Sequence, residues 1–243
     1  MWLLGYPDRA RHDVEFAIAD AREIGQASSL AFAFTFATLV DLCRGDFVAA
    51  KTRTDELVPL AEEKGLSFWG LSGLFLRGAL LSVTGAPAEG IRLISTAAAV
   101  YRSIGATLML PSFLTSLAEA HATLGRYDEA SARLDEAKTI IETSGERWSE
   151  AETLRVAGEI ALKSPEADPA KAGGYFERAL AVARKQQAKS WELRAATSLA
   201  RLWCDQGKRD AARDLLAPVY GWFTEGFDTL DLKEAKALLD AMA

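Results

Sequence analysis

Histidine and cysteine, the residue types that dominate zinc sites and many catalytic centres, are scarce in this sequence. The chain has only His12, His121, Cys43 and Cys204, and neither H-x-x-x-H nor C-x-x-C spacing occurs. We therefore predict no metal site and no bound cofactor. Both cysteines lie within apolar helical patterns, which favours small buried thiols in a reducing compartment over a disulfide framework.

Basic clusters, long apolar runs and targeting signals are also missing. The net charge is −6 and no Lys/Arg-rich run is present, which argues against a nucleic acid partner. No run approaches the ~20 apolar residues that span a bilayer. The N-terminus lacks a basic segment followed by an apolar one, as a secretory signal would have. We expect a cytoplasmic protein without a membrane partner.

Catalytic motifs are absent as well. The stretch GLSG at 70–73 is not the G-x-S-x-G of a nucleophile elbow, and no G-x-x-x-x-G-K-[ST] phosphate loop or pair of cyclase-type metal-binding aspartates occurs. The sequence therefore predicts a chain that is not an enzyme.

Regularly spaced glycine is what the sequence does have. One series of glycines recurs every 40 residues and a second series lies halfway between its members, so a glycine occurs every 20 residues. This spacing is typical of helices that end in a left-handed residue, where a Cβ would be strained. The runs between the glycines are rich in Ala, Leu, Glu and Arg, which favour helix. The two series are Gly5, Gly45, Gly85 and Gly125, and Gly25, Gly65, Gly105 and Gly145.

The repeat is therefore a helix–turn–helix unit of about 40 residues, interrupted once. The insert 164–174 contains Pro165 and Pro169 and is predicted to be a loop. Gly207 resumes the first series, Gly226 is predicted to close the last full helix, and a capping helix follows. Over a single domain, 1–243, the units are 1–25 (partial), 26–65, 66–105, 106–145, 146–187 and 188–226, with the capping helix at 229–242.

A column of small residues runs through the first helix of each unit (the A helix; the second is the B helix). Together with the turn LGRYDEA at 124–130 and its relatives, this column resembles the tetratricopeptide repeat, in the long variety found in the sensor domain of the bacterial maltose-regulon activator. The resemblance implies an all-α, right-handed superhelix (α-solenoid) of antiparallel two-helix repeats, with A helices on the concave face. The column is Thr38, Gly78, Ala118, Gly158 and Ala200.

A second resemblance is confined to the C-terminal part of the chain. Residues 185–242 resemble the C-terminal region of bacterial signalling proteins that join a class III nucleotide cyclase domain, a P-loop ATPase domain and a helical-repeat tail. This implies that the chain is a piece of a longer protein. We also expect Trp2, Leu3 and Leu4 to be apolar surface left by a missing preceding helix.

The candidate binding site is the predicted concave stripe, which is aromatic at one end and charged at the other. At the charged end, the arginines could bind an acidic partner segment. Alternatively, Glu152 could pair with Arg194 and Glu159 with Arg201 as a structural ladder. The candidate residues are Phe68, Phe75, Glu119, Trp148, Glu152, Arg155, Glu159, Arg194 and Arg201.

Two functional hypotheses remain open. The first is a non-catalytic interaction and regulatory module that binds a protein or peptide partner, or the upstream domains of its own parent chain; a homo-oligomer is also left open. The second is a small-molecule sensor. A sensor needs an enclosed pocket, whereas the sequence pattern indicates an open groove, and this favours the first hypothesis.

Overall fold

The computed structural model describes residues 1–242, and this range is helical throughout, without a strand. A short 3₁₀ turn, Trp2–Leu4, precedes twelve α-helices joined by tight turns. These are α1 Pro7–Ile24, α2 Ala27–Arg44, α3 Phe47–Glu63, α4 Ser67–Val83, α5 Pro87–Ser103, α6 Leu110–Thr123, α7 Tyr127–Ser144, α8 Glu150–Lys163, α9 Pro169–Lys185, α10 Lys189–Asp205, α11 Arg209–Tyr220 and α12 Leu230–Ala241.

The helices form the predicted two-helix repeats. The A helices are α2, α4, α6, α8 and α10. Each packs on the B helix that follows it, and α2, α4, α6 and α8 also pack on the A helix of the next repeat. Helix α12 packs on α10 and α11 and covers the end of the array. The predicted all-α solenoid of tetratricopeptide-like repeats with a C-terminal capping helix is confirmed.

The glycine turns have the predicted left-handed geometry. All eight glycines of the 20-residue series have φ between +65° and +102°. At the α2–α3 turn, the Gly45 N–H donates to Leu42 O at 3.1 Å and the Asp46 N–H donates to Asp41 O at 2.9 Å. The Asp46 carboxylate then accepts from the Ala49 N–H at 3.1 Å and caps α3. One short motif therefore ends a helix and begins the next.

The small-residue column lies where the A helix of a repeat meets its B helix. A Cβ on Gly78 would stand 2.8 Å from Ile94 Cγ1 and 3.0 Å from the Gly90 carbonyl oxygen, and one on Gly158 would overlap the Phe176 ring. Close approach of the two backbones therefore requires small residues in this column, as predicted.

Three helix boundaries differ from the prediction. Pro169 is the first residue of α9 instead of a loop residue, because the first turn needs no proline N–H; the Asp168 carboxylate caps this helix. Helix α6 begins at Leu110, not near 106. The Met109 N–H donates to the Glu146 carboxylate at 2.6 Å, which ties the preceding segment to the next repeat. Helix α11 ends at Tyr220, and Gly226 lies in the loop before α12.

The two ends of the solenoid meet, which the sequence did not predict. Trp2 is only 6% exposed and its ring packs edge-on against Trp191 of α10, with centroids 4.7 Å apart. Ser190 Oγ donates to the Trp2 carbonyl oxygen at 2.5 Å. The expectation that Trp2 is exposed apolar surface is wrong, because the first turn of α10 covers it.

Polar contacts complete this closure. The N–H groups of Asp8 and Arg9 both donate to Glu225 at 2.9 Å, and the Gly226 N–H donates to the Asp8 carboxylate at 2.8 Å. Arg44 donates to Asp8 at 3.2 Å. We call this junction the seam: residues 1–9 and 43–45 on one side, and residues 188–194 and 221–231 on the other. The seam closes the predicted open groove into a ring.

Helix α2 is apolar enough to be considered as a membrane span. Its 18 residues have a mean hydropathy of 1.3, the one helix within 1–242 to meet that criterion by length and composition. In the structure it packs against α1, α3 and α4. Its buried Asp41 accepts a hydrogen bond from Arg53 Nε at 2.5 Å. These contacts are those of a core helix in a repeat array.

Candidate binding cavity

The ring encloses a cavity of about 730 Å³, which is formed by the A helices together with α12. This volume is within the range of about 300–1,000 Å³ that is usual for ligand pockets. The expectation of a groove without a pocket is therefore corrected: closure at the seam brings α2 opposite α10 and α12, and the groove becomes a cavity that stays partly open to solvent.

One wall of the cavity is apolar. Helices α2 and α4 contribute mainly aliphatic and aromatic side chains, and α6 adds small hydroxyl side chains between this wall and the charged one. Phe75 belongs both to this wall and to the core, since its ring stacks on Phe113 with centroids 3.6 Å apart. The apolar wall consists of Leu39, Leu42, Phe75, Ala79 and Val83.

The other wall is charged and comes from α8, α10 and α12, with one residue from α6. The charged residues on α8 are spaced three or four apart, which places them on one helix face. Five acidic and four basic side chains line the cavity in all: Glu119, Glu152, Glu159, Asp231 and Glu234, and Arg155, Lys163, Arg194 and Arg201.

Arg155 and Glu152 form a bidentate ion pair. The Nε and Nη2 of Arg155 donate to the two carboxylate oxygens of Glu152 at 2.8 and 2.9 Å, while its contacts with Glu119 and Glu159 are 3.4 Å long. Burial would raise the pKa of Glu152, but the charges and hydrogen bonds of Arg155 and Arg194 outweigh it and lower the pKa to about 2. Glu152 is therefore ionised at neutral pH.

Arg194 joins the charged wall to the seam. Its Nε donates to both carboxylate oxygens of Asp231 at 2.9 and 3.0 Å, its Nη1 to Glu152 at 3.0 Å and its Nη2 to the Cys43 carbonyl oxygen at 2.9 Å. The guanidinium also lies 5.2 Å from the ring centroid of Trp2 and 5.1 Å from that of Trp191. Every guanidinium nitrogen of Arg194 is thus used within the protein.

The predicted structural ladder is half correct. The Glu152–Arg194 pair is present at 3.0 Å. The Glu159–Arg201 pair is absent from the described chain: Glu159 instead accepts from Ser198 Oγ at 2.7 Å, and Arg201 donates to Glu234 at 2.9 Å. Arg201 finds this other partner because α12 packs beside α10.

Eight of the nine predicted site residues line the cavity, and Phe68 does not. The Phe68 ring packs against Trp69 and Tyr101, with centroids 5.0 and 5.6 Å away, so it belongs to the core edge between α4 and α5. Trp148 lines the cavity while its Nε1 donates to Glu146 at 3.0 Å. The lining eight are Phe75, Glu119, Trp148, Glu152, Arg155, Glu159, Arg194 and Arg201.

Two acidic lining residues, Asp231 and Glu234, were missed from the sequence. They are three residues apart on α12, which was interpreted only as a cap for the last repeat. A sequence signal for them exists: the two acidic residues share one face of α12. The sequence already predicted that this helix packs beside the last A helix, which bears Arg194 and Arg201.

The chemistry of the cavity suits binding. Cys43 lines it, but burial raises the pKa of its thiol to about 12, so the thiol stays protonated and is a poor nucleophile at neutral pH. Across residues 1–242 no cluster of histidine, cysteine, aspartate and glutamate has the composition of a metal site. What the walls offer a ligand is charge, hydroxyl groups and apolar surface.

Comparison with known proteins identifies the fold. No protein-family profile matches the chain, and no curated protein sequence does. Among solved structures, BtubC (BKLC) from P. vanneervenii is similar with a TM-score of 0.58 and 15% sequence identity, over 98% of this chain and 89% of BtubC. At this level of identity the likeness shows the fold alone.

Two further structures are similar to parts of longer chains. A Rap protein complexed with Competence and Sporulation Factor has a TM-score of 0.72 and 15% identity, over 91% of this chain and 60% of the Rap chain. A Signal Transduction ATPase with Numerous Domains (STAND) protein with a tetratricopeptide repeat sensor, from Pyrococcus horikoshii, has a TM-score of 0.63 and 18% identity. The alignment covers 98% of this chain and 37% of that protein. This chain thus spans less than two thirds of either one.

Proposed function

We propose that the chain is a non-catalytic interaction module that binds a protein or peptide segment inside its ring. The observation that carries this proposal is the partly open cavity, which is lined by A helices and α12 and has one apolar and one charged wall. A short extended segment can satisfy both walls at once, with side chains directed to opposite sides. The likeness to tetratricopeptide-like repeat proteins supports the same function.

The parent of this module is, in our proposal, a cytoplasmic bacterial signalling protein of the cyclase/ATPase type, with this chain as its C-terminal region. The support is the resemblance of residues 185–242 and the similarity to the repeat sensor of a multidomain STAND ATPase. An immunoblot of source cells with an antibody against this chain tests it. A native band far above 26.3 kDa is expected, and a band at that mass would contradict the proposal.

The binding function is tested with a phage-displayed library of random nonapeptides selected on the purified chain. Ser116, on the cavity face of α6, is replaced by Trp to fill the cavity, and Ser131, exposed on the outer helix α7, receives the same substitution as a matched control. The selected peptides should lose binding to Ser116→Trp and keep it with Ser131→Trp. Circular dichroism confirms that both variants stay helical.

Peptides that bind both variants equally well would show that the cavity is not the binding site. Failure to select any peptide that binds above background would contradict a peptide-binding function altogether.

A small-molecule sensor is the second candidate, and the presence of a cavity of ligand size favours it more than the sequence pattern did. Thermal unfolding against a metabolite panel tests this function, because a ligand that binds the native state raises Tm. A rise seen with the wild type and Ser131→Trp, but lost with Ser116→Trp, would identify a cavity ligand. No rise with any compound, beside selected peptides that need the cavity, would leave the peptide function in place.

A further inference from the structure

The two central arginines of the cavity have little left to offer a ligand. Arg194 uses all its nitrogens on Asp231, Glu152 and the Cys43 carbonyl. Arg155 is committed to both oxygens of Glu152. An acidic ligand would have to break these buried pairs, which is costly because it leaves a carboxylate without its partner. The structure therefore disfavours Arg155 and Arg194 as the groups that would bind an acidic segment.

Glu119 is the carboxylate in the cavity with the most unused capacity. Its only hydrogen bond within the described chain is the long one from Arg155 to Oε1, at 3.4 Å, and Oε2 accepts none. Its side chain is 45% exposed, against 12% for Glu152, although both line the same cavity. Glu119 can therefore accept hydrogen bonds from a ligand without losing an existing strong ion pair.

The C-terminal ends of two helices line the cavity. Helices α4 and α6 end at Val83 and Thr123, and both of these residues line the cavity. The C-terminal end of a helix carries partial negative charge from its unpaired carbonyl groups. Lining charges of five acidic to four basic residues point the same way. A cationic group is favoured by the unused acceptor capacity of the Glu119 carboxylate, since the basic groups Arg155, Arg194 and Lys163 offset the negative charge around it.

We propose that the segment bound in the cavity presents a lysine or arginine side chain to Glu119 and places a neighbouring apolar side chain against the wall of α2 and α4. This inference rests on the proposed peptide-binding function and specifies its ligand. The partner is a protein segment with a basic residue flanked by aliphatic or aromatic ones. A charge-assisted hydrogen bond to Glu119 orients it, and burial against Leu39, Ala79 and Val83 adds affinity.

The titration of Glu119 agrees with this assignment. Desolvation of the carboxylate by the surrounding cavity walls raises the pKa of Glu119, and the opposing charges of Arg155, Arg194 and Lys163 do not offset it. A cationic side chain placed beside the carboxylate would favour its ionised form and lower that pKa.

The test uses the same displayed nonapeptide library and compares two isosteric variants. Glu119→Gln removes the charge in the cavity, and Glu142→Gln removes an equivalent exposed charge on the outer helix α7. Peptides selected on the wild type should be enriched in lysine or arginine beside apolar residues. Synthetic copies should bind Glu119→Gln about tenfold or more weakly, the usual scale for a charge-assisted hydrogen bond, and bind Glu142→Gln unchanged. Selection on Glu119→Lys should enrich acidic peptides instead.

The outcomes separate this inference from the function on which it rests. Peptides that need the open cavity, as judged by Ser116→Trp, but show no basic enrichment or bind Glu119→Gln normally would overturn the ligand assignment and leave the function standing. Peptides indifferent to Ser116→Trp, or no selected peptides, would overturn both. Acidic enrichment on the wild type would restore the earlier arginine hypothesis.

Discussion

The seam and the interface between α4 and α6 close the same ring by different means. At the α4–α6 interface, Phe75 stacks on Phe113, and Tyr101 of α5 packs edge-on against Phe113 at 5.0 Å. All three are buried. The seam has one buried aromatic pair, Trp2 with Trp191, surrounded by hydrogen bonds and ion pairs.

This difference indicates where the ring can open. Burial of apolar area is lost in full when the α4–α6 interface separates. Hydrogen bonds at the seam can be exchanged for bonds to water, so each contributes a net of only about 0.5–1.5 kcal/mol. We therefore expect the seam to open more readily than the α4–α6 interface, and its opening would give a ligand wider access to the cavity.

The largest effect is expected at the regular interface. Phe113→Ala should lower the free energy of unfolding by about 3–5 kcal/mol, because it removes a fully buried ring and leaves a cavity. Denaturant unfolding measures this, with Phe32→Ala, at a 52% exposed position, as the control. A loss below 1 kcal/mol for Phe113→Ala would mean that this interface contributes no more than the polar seam.

Arg194→Ala should be the most damaging single change at the seam. It leaves Glu152 and Asp231 without their shared cation, and breaking a buried pair in this way costs about 3–5 kcal/mol. The lower end is expected because Arg194 keeps 21% exposure. Denaturant unfolding is again the measurement, and Arg194→Lys should recover part of the loss. Unchanged stability would mean that the Arg194 contacts are dispensable.

Trp2→Ala should open the seam, at a cost of at most about 3 kcal/mol because the short terminal turn can relax. Cys43 reports the opening: water reaching its thiol would lower the raised pKa and speed alkylation by iodoacetamide. The rate at Cys204 serves as an internal reference, and Phe16→Ala, an exposed position on α1, is the control variant. Equal Cys43 rates in wild type and Trp2→Ala would contradict a weak seam.

Glu225→Ala tests a helix cap supplied from the other end of the chain. Helix α1 has no side-chain cap from its own N-cap residue, and Glu225 accepts from its Asp8 and Arg9 N–H groups instead. Loss of a cap costs about 1 kcal/mol. Thermal unfolding should show a Tm lower by about 2–4 °C for a chain of this size. Glu225→Gln, which keeps an acceptor oxygen, should lose less.

Arg201→Ala should have the smallest effect. Its pair with Glu234 is about half exposed on both sides, and such pairs contribute about 0–1 kcal/mol. Denaturant unfolding of Arg201→Ala beside Arg194→Ala makes the contrast direct, since both arginines lie on α10 and face α12. Comparable losses would show that position relative to the seam does not determine the contribution of these ion pairs.

Most of the repeat architecture could be predicted, because its signals are local. Left-handed glycines, capping residues and the small-residue column act over a few residues and recur with the period of the repeat. The start of α6 was predicted wrongly because it depends on a contact with the next repeat: the Met109 N–H donates to the Glu146 carboxylate. Most of the cavity-lining residues proposed from the sequence were correct, because residue spacing shows which side chains share one face of a helix.

Enclosure of the site could not be predicted, since it depends on a contact between residues that are 188 positions apart in the chain, as for Ser190 and Trp2. The length of the repeat does not determine the superhelical pitch. The pitch decides whether the first and last repeats of the array come into contact. The partners of Arg194 and Arg201 depended on the same unknown, because Asp231 and Glu234 lie on the capping helix beyond the last repeat.

The amino-acid sequence by itself determined the helices, their turns and their stacking into two-helix repeats, because each of these depends on nearest-neighbour interactions. Tertiary structure alone decided that the array closes, that Trp2 is buried, and that an open groove becomes a cavity with an apolar and a charged wall. The physical reason is that small rotations between successive repeats accumulate along the chain. The sum of these rotations over the repeats brings α2 next to α10. A few contacts at the seam then hold the ring closed.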